Sequence, residues 1–161
     1  MKTLLEHPPL RVSGTAVFMV ANSGAVPHAL LHNLAHNKVL HERVVFFTVI
    51  MEEVPWVPFA GRVTVRSLGR SCWRVEVHFG FKNVTDVPQA LELCRERGLD
   101  FDLMETSFFV NRETLIPVAG EGMALWRERL FAAMARNASS VVDYFHIPPN
   151  RVIELGTQIE I

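Results

Sequence analysis

The sequence predicts an α/β fold: a mixed sheet with a parallel βαβ core, an antiparallel hairpin at one edge, and flanking helices. Three observations predict it. Residues Thr15–Ala21 and Arg43–Met51 are almost wholly β-branched, aromatic or small, and too short for typical helices, so they read as strands buried on both faces. Between them, leucines at helical spacing make the run strand, helix, strand, with a right-handed crossover and parallel strands. Further on, Arg62–Arg66 and Trp73–Phe81 alternate apolar and polar residues around a turn at Leu68–Ser71, the pattern of a hairpin with one wetter face.

Residues 1–13 read as an arm, because His7-Pro8-Pro9 cannot continue a helix. Gly14 releases the chain into the first strand, and residues 14–161 form a single domain. Asn22, Ser23 and Gly24 suit a chain reversal, and Pro27 suits the first turn of a helix. Leu30, Leu31 and Leu34 form one stripe, with His28, His32 and His36 in a row beside it. The helix is expected to end near Asn37, a residue that tolerates the left-handed conformation. After the second strand, Glu52–Pro58 is a loop. His78 falls on the wetter face of the hairpin and is expected to be solvated. Asp86 and Gln89 are spaced as a capping box, Pro88 fits the first helical turn, and Gly98 ends that helix. Ser107–Val110 and Thr114–Ile116 read as two short strands. The longest helix starts after Gly122, carries Leu125, Trp126, Leu130, Phe131, Met134, Val142 and Phe145 on one side, and stops at Pro148-Pro149. The alternation of residues 152–161 predicts a final strand.

At 161 residues, about half of them apolar, the chain can bury one core. Seventeen acidic and sixteen basic residues leave a formal net charge of −1, which argues against a broad nucleic-acid surface. Two cysteines, Cys72 and Cys94, are too few for a disulfide framework; they read as apolar fillers in an intracellular chain. No apolar run approaches the roughly 20 residues that span a bilayer.

In such sheets the ligand crevice lies beyond the carboxyl ends of the parallel strands. Here that means the Asn22–Gly24 turn, the start of the His28 helix, and Met51–Trp56. A helix N-terminus suits an anion, which makes Asn22, Ser23, His28 and His32 the candidate ligand-binding residues. No acidic residue lies within the histidine row, so no metal site is assigned to it. No nucleophile is paired with a base, so no catalytic residue and no cofactor are assigned, and the chain is not read as an enzyme.

The segments HPPLRVSGTAVFMVA, VPHALLHNLAHNKVLHERVVFFTV, METSFFVNRETLIP and GMALWRERLFAAMARNASSVVDYFHIPPNRVIELGTQIEI resemble, in order, the C-terminal cytoplasmic domain of the Kup/HAK/KT potassium uptake transporters. The resemblance covers nearly the whole chain. It implies a proton-coupled potassium importer whose ion pathway lies in a preceding membrane part, so no potassium-binding residue falls here. The start ahead of the arm suits an excised fragment. A regulatory or assembly role follows, at the cytoplasmic face of the cell membrane, with residues 1–13 as the tether. The implied partners are the transmembrane part of the same transporter, a second copy in a homodimer, and cyclic di-AMP, which inhibits some relatives. Two alternatives stand beside this reading. One is a stand-alone module binding cyclic di-AMP or an adenine nucleotide. The other is a small hydrolase or metalloenzyme using His28, His32 or His36.

Overall fold

A computed structural model describes residues 9–22, 24, 26–116, 126–127, 134 and 141–160. Its strands are β1 (Leu10–Met19), β2 (Val39–Glu52), β3 (Val63–Gly69), β4 (Cys72–Gly80), β5 (Thr106–Ile116) and β6 (Val152–Glu160). Its helices are α1 (His28–His36), α2 (Val87–Glu96) and α3 (Val141–Tyr144). The strands form one sheet in the order β3-β4-β2-β1-β5-β6. Every neighbouring pair is parallel except the edge hairpin β3-β4. The predicted mixed sheet, with its parallel β1-α1-β2 core and hairpin edge, is therefore the observed one.

Side chains alternate across a strand, so each central strand feeds two cores. Val17, Val45, Phe47, Val75, Val77 and Phe108 point to one face and pack with Val87, Leu91 and Cys94 of α2 and Val142 of α3. Ala16, Phe18, Val44 and Phe109 point to the other and pack with Ala29 of α1. On that face Phe18 stacks on Phe109, with ring centroids 4.6 Å apart.

Several boundaries differ from expectation. β1 begins at Leu10, so residues 10–13 of the predicted arm belong to the sheet, while residues 1–8 lie outside the described residues. The register of β1 shifts between Val12 and Thr15, and Gly14 takes φ +96° there. A Cβ at Gly14 would lie 2.7 Å from the Glu105 carbonyl oxygen, so only glycine fits this bulge. β5 is one strand, not two: Asn111, Arg112 and Glu113 stay paired with Leu155, Gly156 and Thr157 of β6. Their polarity reflects an outer strand pair rather than a loop.

In α1 the period is right but the phase is rotated. Ala29 and Asn33 are buried, Leu30 and Leu34 are half-buried, and Leu31 is exposed. Asn33 is buried because its amide joins the helix end to the next strand. Its Nδ2 donates to the Val39 carbonyl at 3.0 Å, and its Oδ1 accepts from Asn37 Nδ2 at 2.8 Å. The left-handed residue is Lys38 (φ 56°), not Asn37, which stays right-handed as the C-cap.

The β3-β4 turn uses two left-handed residues, Arg70 (φ 51°) and Ser71 (φ 59°), the type I′ geometry that matches strand twist. At α2 the cap forms as read: Asp86 Oδ1 accepts from the Gln89 N–H at 2.8 Å, and Gly98 (φ +84°) turns the chain away. His78 is not simply solvated. It shares an open sheet face with Glu52 of the adjacent strand, and its Nδ1 lies 2.6 Å from Glu52 Oε1. The predicted long helix falls mostly outside the described residues; Trp126, Arg127 and Met134 are helical, and α3 lies near the end of the predicted range.

Candidate functional site

The strand order places a crevice. From β1 the chain crosses through α1 to β2 on one side; from β4 it returns through α2 to β5 on the other side of β1. Right-handed crossovers leading opposite ways lie on opposite faces, which is where α1 and α2 are. The connections therefore part between the carboxyl ends of β1 and β5, the point at which α/β sheets hold ligands.

A cleft of about 380 Å³ opens there. Met19 to Asn22 form its floor, with Val49 of β2 and Val110 and Asn111 of β5 beside them. Val26, Pro27 and His28 bring the start of α1 to one wall, and Val141 and Phe145 close another. The walls are held from outside the cleft. The Val20 N–H donates to the Phe47 carbonyl at 2.9 Å, and the Val87 N–H to the Phe145 carbonyl at 3.1 Å. Thr85 Oγ1 donates to the Tyr144 carbonyl at 2.9 Å.

Of the four predicted ligand residues, the cleft brings together Asn22 and His28. His32 lies one turn further along α1, exposed, with its ring stacked on His36 at 5.8 Å. Ser23 lies outside the described residues. The Met51–Trp56 segment does not reach the cleft; it folds over the end of β4. There the Phe81 N–H donates to the Val54 carbonyl and the Lys82 N–H to the Pro55 carbonyl, each at 3.0 Å. Asn83 Oδ1 accepts from both Gly80 N (2.8 Å) and Val57 N (2.9 Å). Gly80 permits this closure, since a Cβ on it would sit 2.6 Å from the Val54 and Pro55 carbonyl oxygens. Val110, Asn111, Val141 and Phe145 were not expected in the crevice. They arrive only because β5 neighbours β1.

The cleft is chiefly apolar, with Asn22, His28 and Asn111 as its side-chain polar groups. Asn111 is oriented by Thr157, whose Oγ1 donates to its Oδ1 at 3.0 Å. Pro27 caps α1 with no side-chain hydrogen bond, and its carbonyl accepts from Leu30 and Leu31. Such a site can hold and orient a ligand. Among the described residues no group of three or more His, Cys, Asp or Glu is placed to hold a metal ion. The thiols sit elsewhere: burial pushes Cys94 up to about 12 and also raises Cys72, where Arg11 opposes the shift.

These features define an α/β domain with a cleft at the reversal of its strand order. The family model described as the K+ potassium transporter C-terminal domain matches residues 13–161, and the chain belongs to that family. The probable potassium transport system protein Kup of Nitrosospira multiformis is 55% identical over 161 residues, which are all of this chain and 26% of that protein. The Herminiimonas arsenicoxydans protein of the same name is 56% identical over the same coverage. That of Myxococcus xanthus is 56% identical over 156 residues, 97% of this chain and 24% of its own length. The chain thus spans about a quarter of the length of the curated relatives it matches. No solved structure gives a significant match. Among the described residues no helix is long and apolar enough to cross a membrane. The stand-alone nucleotide-binding alternative finds no support in these matches, which name a potassium transport protein along the whole chain.

Proposed function

We propose that this chain is the cytoplasmic regulatory and assembly domain of a proton-coupled potassium uptake transporter, working against the transmembrane part of the same polypeptide. One observation carries the reading: the whole chain aligns with relatives named for potassium transport, yet it accounts for only about a quarter of each. The remaining three quarters of such a protein would hold the ion path, and no catalytic step is assigned to this domain. Residues 1–13 act as the tether. Its last residues already belong to β1, a central strand, so a displacement of the arm is felt in the middle of the sheet. The cleft at Asn22 and His28, with Ser23 next to Asn22 in sequence and His32 one turn further along α1, is the control site. A ligand there works by binding one arrangement of the domain better than another.

The test is potassium uptake in cells whose other uptake systems are deleted. A transporter truncated before this domain should retain basal uptake and lose its response to potassium supply. Unchanged regulation and unchanged abundance would overturn the reading. Cyclic di-AMP is the first probe for the cleft. Calorimetry on the 161-residue chain should give heat that Asn22→Ala and His28→Ala reduce, and no heat from folded protein would remove it as the ligand.

A further inference from the structure

We infer that Arg62 anchors a binding site for a small carboxylate, beneath the loop that joins β2 to β3. Arg62 immediately precedes β3, and its carbonyl accepts from the His78 N–H of β4 at 2.8 Å, so its backbone is fixed to the sheet. The residue is only 9% exposed, yet no carboxylate among the described residues pairs with it. A charged side chain is rarely buried this far without a counter-charge, because burial without one is costly. Its Nη2 donates to the Val57 carbonyl at 3.0 Å, and its Nε is buried without a hydrogen-bond partner among the described residues. The guanidinium carbon stands over the rings of Phe59 and Phe79, 5.3 Å from each centroid. Those rings offset part of the cost of burial, but they leave the Nε–H without an acceptor.

The surroundings give the class of ligand. A guanidinium presents parallel N–H donors that fit a carboxylate or a phosphate two at a time. One buried positive charge is balanced by a monoanion, whereas a phosphate dianion would leave excess charge in a poorly solvated place. The acceptor now in use is replaceable. Asn83 Oδ1 holds the Val57 N–H at 2.9 Å, so the loop stays anchored when the Val57 carbonyl is released. A second cation reaches the same loop: Arg97 Nη2 donates to the Ala60 carbonyl at 3.0 Å and is likewise in no ion pair among the described residues. Phe79 is fully buried and Phe59 is 48% exposed, so Phe59 is the cover that a ligand must displace. None of these residues lines the cleft at Asn22 and His28, so the two sites are separate.

The inference does not depend on the transport reading and is tested separately, with acetate as the probe. Acetate replaces chloride at constant ionic strength while the nitrogen–proton NMR spectrum of the 161-residue chain is recorded. The expected result is a saturable shift of the Arg62 Nε–H signal and of the Val57 and Ala60 amides, all with one Kd, while the signals of α1 stay in place. Arg62→Lys keeps the charge but removes the fork, and should raise that Kd about tenfold or more. Arg97→Gln should raise it less. The wild-type titration decides the case even if Arg62→Lys fails to fold. A folded chain whose Arg62 Nε–H does not respond to acetate overturns the inference, as does a folded Arg62→Lys chain that binds like wild type. Tighter binding of inorganic phosphate than of acetate at these signals overturns the assignment to a carboxylate.

Discussion

Asn83 holds two loops with one oxygen. Its Oδ1 accepts from Gly80 and Val57, so Asn83→Ala strands two part-buried N–H groups. The expected cost is about 2 kcal/mol, read as a lower urea midpoint at constant m value. His41 makes a different case. It is half-buried, its ring stands edge-on to Phe109 at 5.8 Å, and its Nδ1 is buried without a hydrogen-bond partner among the described residues. Burial holds its pKa below the ordinary imidazole value of 6.5. As pH falls through about 6.5 the unfolded chain takes up this proton first, so the contribution is intact above that value and is lost below it. His41→Phe should therefore flatten the dependence of stability on pH between about pH 7 and pH 5, measured by denaturation at each pH. Neither role was visible in the sequence, because both depend on which backbone lies opposite the side chain.

At the scale of elements, periodicity identified what was present and misjudged which side faces in. The leucine spacing of α1 is helical, yet Ala29 and Asn33 take the buried positions. The sheet below is close enough that a small residue and a hydrogen-bonding amide fit where leucine would not. β5 was divided in sequence because polar residues in mid-strand mimic a loop, and only the β6 partner shows that pairing continues through them. The hairpin was legible, but its turn is made from residues poorly suited to it. Arg70 and Ser71 both hold positive φ, a conformation that asparagine and glycine adopt at less cost. The double variant Arg70→Asn with Ser71→Gly should stabilise the chain by about 1 kcal/mol, seen as a raised thermal midpoint with the same folded spectrum.

For the molecule as a whole, the parallel core was legible because β1 and β2 are apolar on both faces, which only a doubly covered strand requires. Half of the cleft was legible with it. Asn22 and His28 follow directly from a strand that turns into a helix. The other half was not, since nothing in β1 specifies that β5 is its second neighbour. That pairing joins segments far apart in sequence, through only four registered residue pairs, Thr15 with Thr106 to Phe18 with Phe109. The same arrangement grades stability across the sheet: β1 and β2 are flanked on both sides, while β3 and β6 each have one partner among the described strands. Amide hydrogen exchange should be slowest in β1 and β2 and fastest along β3 and β6. Equal rates across the six strands would show that the sheet opens only as a unit.

The central place of β1 also governs how the chain is made. Made before the other five strands, β1 can zip onto β2 early, but its other margin waits for Thr106 to follow. Through that interval the nascent chain displays an apolar strand with open hydrogen-bonding groups, a template for any foreign strand nearby. Translation halted between residues 52 and 106 should thus leave the most chaperone-dependent product, and transcripts shortened to that window should yield aggregates rather than folded fragments.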